Sequence, residues 1–332
     1  MAEDEKAKVA KKKAAKKAAK KAAKKATAAR KAPVNKATAK KAAAKKKGAV
    51  SGYGGGSVDV VMSVDQVAKE AASIAANAPE ISELDAMTQG EAFLSINNLR
   101  AGYGKMEILH DFNLRVGRGQ SLCLIGPNGA GKSTILHSIY GFTNIFSGSI
   151  EVGPADNRQN VTKLSPNQKL MKAGIAYILQ DKSIFPDMTV EENLWMGGFL
   201  MDTPAMAKEA AEKVFAKYDR LAQRRTHKAK VLSGGERRLL EISRALVMDP
   251  DVLLVDEPSI GLEPRFIDMV FEILDDLQHG EGKTIIMVEQ NAKKGLEFAD
   301  IGYVLVSGEL AIAGKGDELL ENPEVGRLFL GG

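Results

Sequence analysis

The chain has 332 residues, of which 44% are hydrophobic and 27% charged, a composition ordinary for a folded globular protein. Its net charge of +5 is unevenly distributed: residues 1–47 carry +16 and the rest of the chain carries −11, which excludes a uniformly basic nucleic-acid-binding domain. The single cysteine, Cys123, excludes an intrachain disulfide framework and favours the cytosol, and the sequence offers neither an apolar run of ~20 residues for a membrane span nor the apolar core of a secretory signal.

The N-terminal part of the chain is biased in composition. Residues 1–57 are rich in Lys and Ala and end in a glycine-rich stretch, 48–57, so we expect a disordered tail followed by a linker. In the next segment, 58–92, apolar residues recur at helical spacing and predict a short amphipathic helix at about 64–77. That helix could pack on its own domain or dock on a partner, and the sequence leaves both open.

Strand-like and helix-like segments alternate from Phe93 to the C-terminus. The strand-like apolar runs are 121–125, 175–179, 252–255, 284–288 and 302–306. The helix-like amphipathic stretches are 132–140, 206–218, 236–247, 264–278 and 316–321. This alternation predicts an α/β domain with a largely parallel sheet.

A phosphate-binding motif follows the first of these strands. The stretch from Gly126 to Ser133 fits G-x-x-x-x-G-K-[ST] and lies between a strand-like and a helix-like segment, as a P-loop requires. The glycines let backbone N–H groups turn toward a phosphate, Lys132 can reach the terminal phosphates, and the Ser133 hydroxyl can bind Mg²⁺. The residues predicted to bind nucleotide here are Gly126, Pro127, Asn128, Gly129, Ala130, Gly131, Lys132, Ser133 and Thr134.

Two carboxylates end the strand-like run at 252–255. Asp256 at this strand end is predicted to lie beside the metal, and Glu257 to polarise the water that attacks the γ-phosphate. Strands often end in acidic residues, so the pattern is weak alone. Together with Lys132 it predicts nucleotide hydrolysis.

A second glycine motif precedes the helix-like stretch 236–247. Its residues Ser233, Gly234, Gly235 and Glu236 form a further anion site at a helix N-terminus, which a single P-loop does not need. Together the motifs resemble the ATP-binding-cassette (ABC) family, whose signature is LSGGE. The resemblance covers residues 93–332 and implies a helical subdomain at about 182–247. In that family two cassettes pair head to tail, and each signature caps the ATP on the other's P-loop.

Three further positions match the family. Tyr103 matches the aromatic residue that stacks on adenine, although a tyrosine in a half-buried strand has a structural explanation as well. Gln180 matches the glutamine that contacts Mg²⁺ and the attacking water. The loop 259–262 matches the segment that crosses the dimer interface. The resemblance thus implies ATP and Mg²⁺ as cofactors, with Ser133, Gln180 and Asp256 around the metal.

One position departs from most of the family. Gln290 stands where most cassettes carry a histidine that donates to the γ-phosphate, and its amide can donate but cannot carry a charge. We therefore count Gln290 with Glu257 and Lys132 as catalytic. The surrounding sequence VEQNA, the later ADIGYVL and the stretch FPDMTVEENLWMGGF resemble the shorter ATP-binding subunit of branched-chain amino acid importers.

This resemblance implies several partners. The first is a second ABC subunit, either a paralogue or a second copy. The second is a set of transmembrane permease subunits, which would dock on the apolar face at 185–200 with Trp195 as the foremost candidate contact. A solute-binding protein would be an indirect partner. The chain would then be peripheral at the cytoplasmic face of the inner membrane. The alternative is a soluble ABC ATPase with a polyanion-binding tail, and anionic lipid and nucleic acid both remain open as ligands of the tail.

Overall fold

The computed structural model describes residues 79–180 and 183–330. The Lys/Ala-rich tail, the glycine linker and the helix predicted at about 64–77 lie outside this part of the chain. The described residues form an α/β fold with a six-stranded sheet, which confirms the predicted fold class. None of the described helices combines the length and the apolar character needed to cross a membrane.

The six-stranded sheet contains all the strands that the apolar runs predicted. Its strands are β3 (Ser121–Ile125), β6 (Ile175–Ile178), β7 (Val252–Asp256), β8 (Thr284–Val288), β9 (Ile301–Val306) and β10 (Glu309–Lys315). They lie in the order β10-β9-β3-β8-β7-β6, and only the β9–β10 pair is antiparallel. Every residue of β3, β7 and β8 is buried, which is why these strands are continuous apolar runs without alternation.

A second, antiparallel sheet of four strands was not predicted. It consists of β1 (Ala92–Tyr103), β2 (Met106–Gly117), β4 (Asn144–Val152) and β5 (Gln159–Asn160), in the order β2-β1-β4-β5. The register of β1 shifts several times against β2, and Asn98 within it has a left-handed φ of 44°. These irregularities break the alternation by which strands are recognised in sequence.

The helices occur between the strands and after them. They are α1 (Ile81–Ala86), α2 (Lys132–Tyr140), α3 (Pro166–Ala173), α4 (Val190–Gly197), α5 (Pro204–Lys217), α6 (Asp219–Gln223), α7 (Gly234–Leu246), α8 (Pro264–Asp275), α9 (Ala292–Phe298), α10 (Gly316–Glu321) and α11 (Pro323–Val325). The helix predicted at 264–278 ends at Asp275 and continues as a π-helical turn, Asp276–Gly280. Helices α2 and α10 have their predicted bounds.

Three apolar clusters hold these elements together. One lies between the two sheets and includes Leu84 of α1, so part of the 58–92 segment packs on the cassette. A second joins the other face of the large sheet to α8 and α9. A third, around Leu194, Phe215 and Leu240, is formed by α4, α5 and α7. The residues around 190–247 therefore have an apolar core of their own.

Candidate nucleotide-binding site

The loop between β3 and α2 has the backbone that phosphate binding needs. Gly126, Gly129 and Gly131 have φ values of 144°, 86° and 99°, which residues with a Cβ rarely adopt. A Cβ on Gly126 would lie 2.3 Å from the Leu305 carbonyl oxygen. Gly131 caps α2 without a side chain, so the first amide groups of this nine-residue helix have no side-chain acceptor. They can therefore bind an anion.

The Lys132 side chain folds back over this loop. Its Nζ donates to the carbonyl oxygens of Gly126 at 2.7 Å and Pro127 at 3.0 Å. Burial lowers the pKa of Lys132, and the nearby carboxylates of Glu257 and Asp256 oppose that change. Two neutral carbonyl oxygens thus hold the ammonium group beside the loop. A phosphate in the loop would supply a stronger, charged acceptor.

Asp256 connects the end of β7 with the P-loop. Its carboxylate Oδ1 accepts a hydrogen bond from Ser133 Oγ at 3.3 Å, and Oδ2 accepts one from the Tyr177 hydroxyl at 2.8 Å. The parallel order of β3, β8 and β7 brings the carboxyl ends of these strands to one edge of the sheet. Hard oxygen ligands from Asp256 and Ser133 suit Mg²⁺.

Glu257 follows Asp256 in a strained, left-handed conformation with a φ of 45°. Its backbone N–H donates to the Val288 carbonyl at 2.8 Å, and its Oε2 accepts from Gln180 Nε2 at 2.7 Å. Burial, followed by the negative charges of Asp256 and Glu289, raises the pKa of Glu257, while Lys132 opposes the shift. A carboxylate with a raised pKa is a better proton acceptor, which is what a general base requires.

Tyr103 lies at the end of β1 with 40% of its surface exposed. Its hydroxyl is 2.5 Å from His137 Nδ1, and the two rings are in edge-to-face contact. His137 in turn contacts the Tyr177 ring, with 5.8 Å between ring centroids. An exposed ring face next to the P-loop helix can stack on a base, so the position is compatible with both interpretations made from the sequence.

Gln290 is exposed two residues after the end of β8, next to the buried Glu289. Glu289 accepts a hydrogen bond from Ser259 Oγ at 2.7 Å. Glu289, to which the sequence analysis assigned no role, thus links the loop at 259–262 to Gln290, the predicted contact of the γ-phosphate.

The signature residues begin α7. Ser233 is its N-cap and forms a capping box with Glu236, whose carboxylate accepts from the Ser233 N–H at 2.9 Å and from Arg224 Nε at 3.3 Å. The Glu236 side chain is therefore engaged with its own helix. A Cβ on Gly235 would lie 2.2 Å from the Phe266 ring, so α7 and α8 require glycine here.

The structure thus brings together five of the predicted residues, namely Lys132, Ser133, Gln180, Asp256 and Glu257. Among the described hydrogen bonds, none joins the signature residues to the P-loop. Sequence reasoning missed His137, Tyr177 and Glu289. Their contacts could not be read from a local pattern, because their hydrogen-bond partners are distant in the chain. The separations are 34 residues for His137, 79 for Tyr177 and 30 for Glu289.

Comparison with known proteins places this site in a family. A family model described as ABC transporter matches residues 109–260. The chain is 41% identical to the high-affinity branched-chain amino acid transport ATP-binding protein BraG of Pseudomonas aeruginosa, over 72% of this chain and 100% of that protein. It is 37% identical to the probable branched-chain amino acid transport ATP-binding protein LivF of Archaeoglobus fulgidus, over 70% and 96%.

Solved structures show the same relationship. The ADP conformation of an ATP-binding cassette of an ABC transporter superposes with a TM-score of 0.63 and 28% identity, over 73% of this chain and 99% of that one. The residues matched by the family model, 109–260, contain both the P-loop and the signature helix α7. The chain belongs to the ATP-binding cassettes of ABC transporters, the ATPase subunits that power transport.

Proposed function

We propose that this cassette hydrolyses Mg²⁺-ATP to drive an importer of branched-chain amino acids or a closely related small solute. The observation that carries the ATPase part is the convergence of Lys132, Ser133, Gln180, Asp256 and Glu257 at one sheet edge. The names of the relatives BraG and LivF support the solute class. Gln290 supports it as well, because its sequence context resembles that subgroup.

The chemistry follows from the geometry of these side chains. A bound Mg²⁺ would neutralise phosphate charge, and Ser133, Asp256 and Gln180 are the residues that would hold it. Lys132 would exchange its carbonyl acceptors for phosphate oxygens. Glu257 would take the proton of the attacking water, while Gln180 keeps its carboxylate oriented. Gln290 would donate its amide hydrogen bond to the γ-phosphate, and Tyr103 would stack on adenine.

The site needs a second cassette to be complete. The signature residues Ser233 to Gly235 form an anion site that is not hydrogen-bonded to the P-loop of the same chain. Head-to-tail pairing would place this site against the nucleotide of the partner, which is either a paralogous cassette or a second copy. The chain alone should consequently be a weak ATPase whose turnover rises with dimerisation.

A cleft beside the site suits the permease. This cleft of about 450 Å³ separates α4 and the segment after it from the large sheet, and it is lined by apolar and charged residues. Its lining includes the apolar residues Phe185, Met196, Phe199 and Leu200 and the charged residues Glu241 and Arg244. Phe199 is 74% exposed. An apolar helix end of the permease would bury this surface and hold the cassette at the cytoplasmic face of the membrane.

Trp195, the foremost sequence candidate for docking, does not line the cleft. It packs partly into the apolar cluster of α4, α5 and α7, and the Lys208 ammonium lies 4.7 Å from its ring centroid. Met196 and Phe199 line the cleft, whereas Trp195 faces the neighbouring helix α5. We therefore assign docking to Phe199 and its neighbours.

The function can be tested with two substitutions in the full chain. Glu257→Gln should bind ATP and form a stable dimer but hydrolyse ATP at least about a hundredfold more slowly, because the amide cannot accept the proton. Lys132→Ala should lose ATP binding. Co-expression with a branched-chain amino acid permease should stimulate wild-type hydrolysis. A Glu257→Gln protein with the wild-type rate would refute the assignment of the base, and failure to stimulate would refute the solute class.

A further inference from the structure

Glu289 is a buried carboxylate between two loops of the site. It follows β8, is 2% exposed and accepts three hydrogen bonds. Its Oε1 accepts from Ser259 Oγ at 2.7 Å and from the Asn291 N–H at 2.9 Å, and its Oε2 accepts from the Ser259 N–H at 3.3 Å. One side chain thus joins both ends of the Gln290 turn to the loop at 259–262.

Among the residues that the structure describes, the donors to this buried carboxyl group are a hydroxyl and two backbone amides. Among the described residues, no lysine, arginine or histidine forms an ion pair with Glu289. Burying a carboxyl group costs free energy, and the three hydrogen bonds from Ser259 and Asn291 offset part of that cost. The surroundings are equally tight, because a Cβ on Gly295 would lie 3.1 Å from the Glu289 Cβ. The three hydrogen bonds and the close packing therefore hold the Glu289 side chain in one position.

The same strand end also holds the proposed base. The Val288 carbonyl, one residue before Glu289, accepts the Glu257 N–H at 2.8 Å. The Ile260 N–H donates to the Glu257 carbonyl at 3.3 Å, so the loop at 259–262 starts from the base itself. A movement of Gln290 would consequently displace Ser259 through Glu289, and Glu257 through Val288.

We propose that Glu289 is a positioning residue that ties the Gln290 turn to the loop at 259–262, so that contact of Gln290 with the γ-phosphate sets the position of that loop. The inference deepens the proposed function and rests on it. Glu289 is buried and hydrogen-bonded to Ser259 and Asn291, so it would act on turnover through Ser259 and the adjacent Gln290. Its loss should lower kcat and leave the KM for ATP nearly unchanged.

The decisive variant is Glu289→Gln in the full chain. The amide keeps the volume, and its oxygen can still accept from Ser259 Oγ and the Asn291 N–H, but its NH₂ would face the Ser259 N–H. Ser259→Ala removes the hydroxyl donor alone. Asp300→Asn is a matched control, because Asp300 Oδ2 accepts from the Ser121 N–H at 2.8 Å and from Ser121 Oγ at 3.1 Å at the opposite end of the parallel strands.

We expect Glu289→Gln to lower kcat about tenfold and to change KM by less than about twofold. Amide hydrogen exchange at Ser259 should accelerate. The double variant with Ser259→Ala should be no slower than Glu289→Gln alone, because both act through one contact. Asp300→Asn should lower Tm but leave kcat unchanged.

Three results would overturn the inference. They are a kcat of Glu289→Gln equal to that of the wild type, additive losses in the double variant, and an equal loss of kcat in Asp300→Asn. Failure of the ATPase part of the proposed function is distinguishable from these, because the wild-type dimer would then hydrolyse no ATP. In that case both proposals fall, whereas an active wild type with an equally active Glu289→Gln variant refutes the positioning role alone.

Discussion

Gln180 Nε2 lies 2.7 Å from Glu257 Oε2, so the residue just beyond β6 orients the carboxylate just beyond β7. The two residues are 77 positions apart in the chain. Parallel pairing of β6 with β7 brings them together. Whatever displaces Gln180 will therefore act on the proposed base, and Gln180 follows a strand that also borders the cleft assigned to the permease.

This contact predicts a shift in the pH dependence of hydrolysis. Glu257 accepts a proton only when ionised, so activity should fall as the pH decreases through its raised pKa. The Gln180 amide donates a hydrogen bond to the Glu257 carboxylate, and such a bond favours the ionised form. Gln180→Ala should move the acidic limb of the kcat profile to higher pH, whereas Gln223→Ala, an exposed glutamine at the end of α6, should not. A coincident acidic limb in all three proteins would contradict the role of Gln180.

The P-loop was predictable because its conformation depends on residues that are adjacent in the chain. Gly126 to Ser133 encode a turn and a helix start within eight residues, and the structure has both. The contacts of Glu289 and Tyr177 depend on strand order instead, which no short pattern contains. The four-stranded sheet escaped prediction for a further reason, the interrupted alternation of β1 around Asn98.

Gln290 provides the second prediction. If its amide donates to the γ-phosphate, Gln290→Ala should lose a hydrogen bond to a charged group, worth ~1.5–3 kcal/mol or roughly ten- to a hundredfold in rate. Gln290→His should retain substantial activity because the imidazole can donate as well. The measurement is steady-state ATP hydrolysis by the assembled dimer. Full activity of Gln290→Ala would make the residue a bystander on the surface.

The third prediction concerns stability and Lys169. This lysine of α3 is fully buried, and its Nζ donates to the last carbonyls of α2, at Ile139 (2.6 Å) and Ser138 (3.3 Å). Burial lowers the pKa of Lys169 to about 8, from 10.5. The unfolded chain therefore binds the proton more tightly between these values, and the free energy of unfolding should rise with pH across that window.

Lys169→Met lacks this titration. The stability of the wild type relative to Lys169→Met should increase by up to about 3 kcal/mol between about pH 7 and pH 10.5. Urea denaturation at both pH values measures it, and differences between the proteins cancel the other titrating groups. Lys172→Met, which removes an exposed lysine of the same helix, is the control and should show a constant difference. A pH-independent difference for Lys169→Met would show that Lys169 keeps an ordinary pKa.

The last prediction concerns the Lys/Ala-rich N-terminus, where 18 Lys and one Arg against three acidic residues give residues 1–47 a charge of +16. Lys and Ala offer neither aromatic stacking nor bidentate contacts with bases, so binding to a polyanion should be electrostatic and independent of sequence. The full chain should bind anionic vesicles or DNA with an affinity that falls steeply as salt rises, and a chain shortened to begin at Ser57 should not. The shortened chain should keep its ATPase activity, because the proposed site residues lie between Tyr103 and Gln290. Binding and hydrolysis of both proteins across a salt series test the two statements separately. Equal binding by both would remove the polyanion role, and loss of hydrolysis on shortening would make the N-terminus part of the catalytic unit.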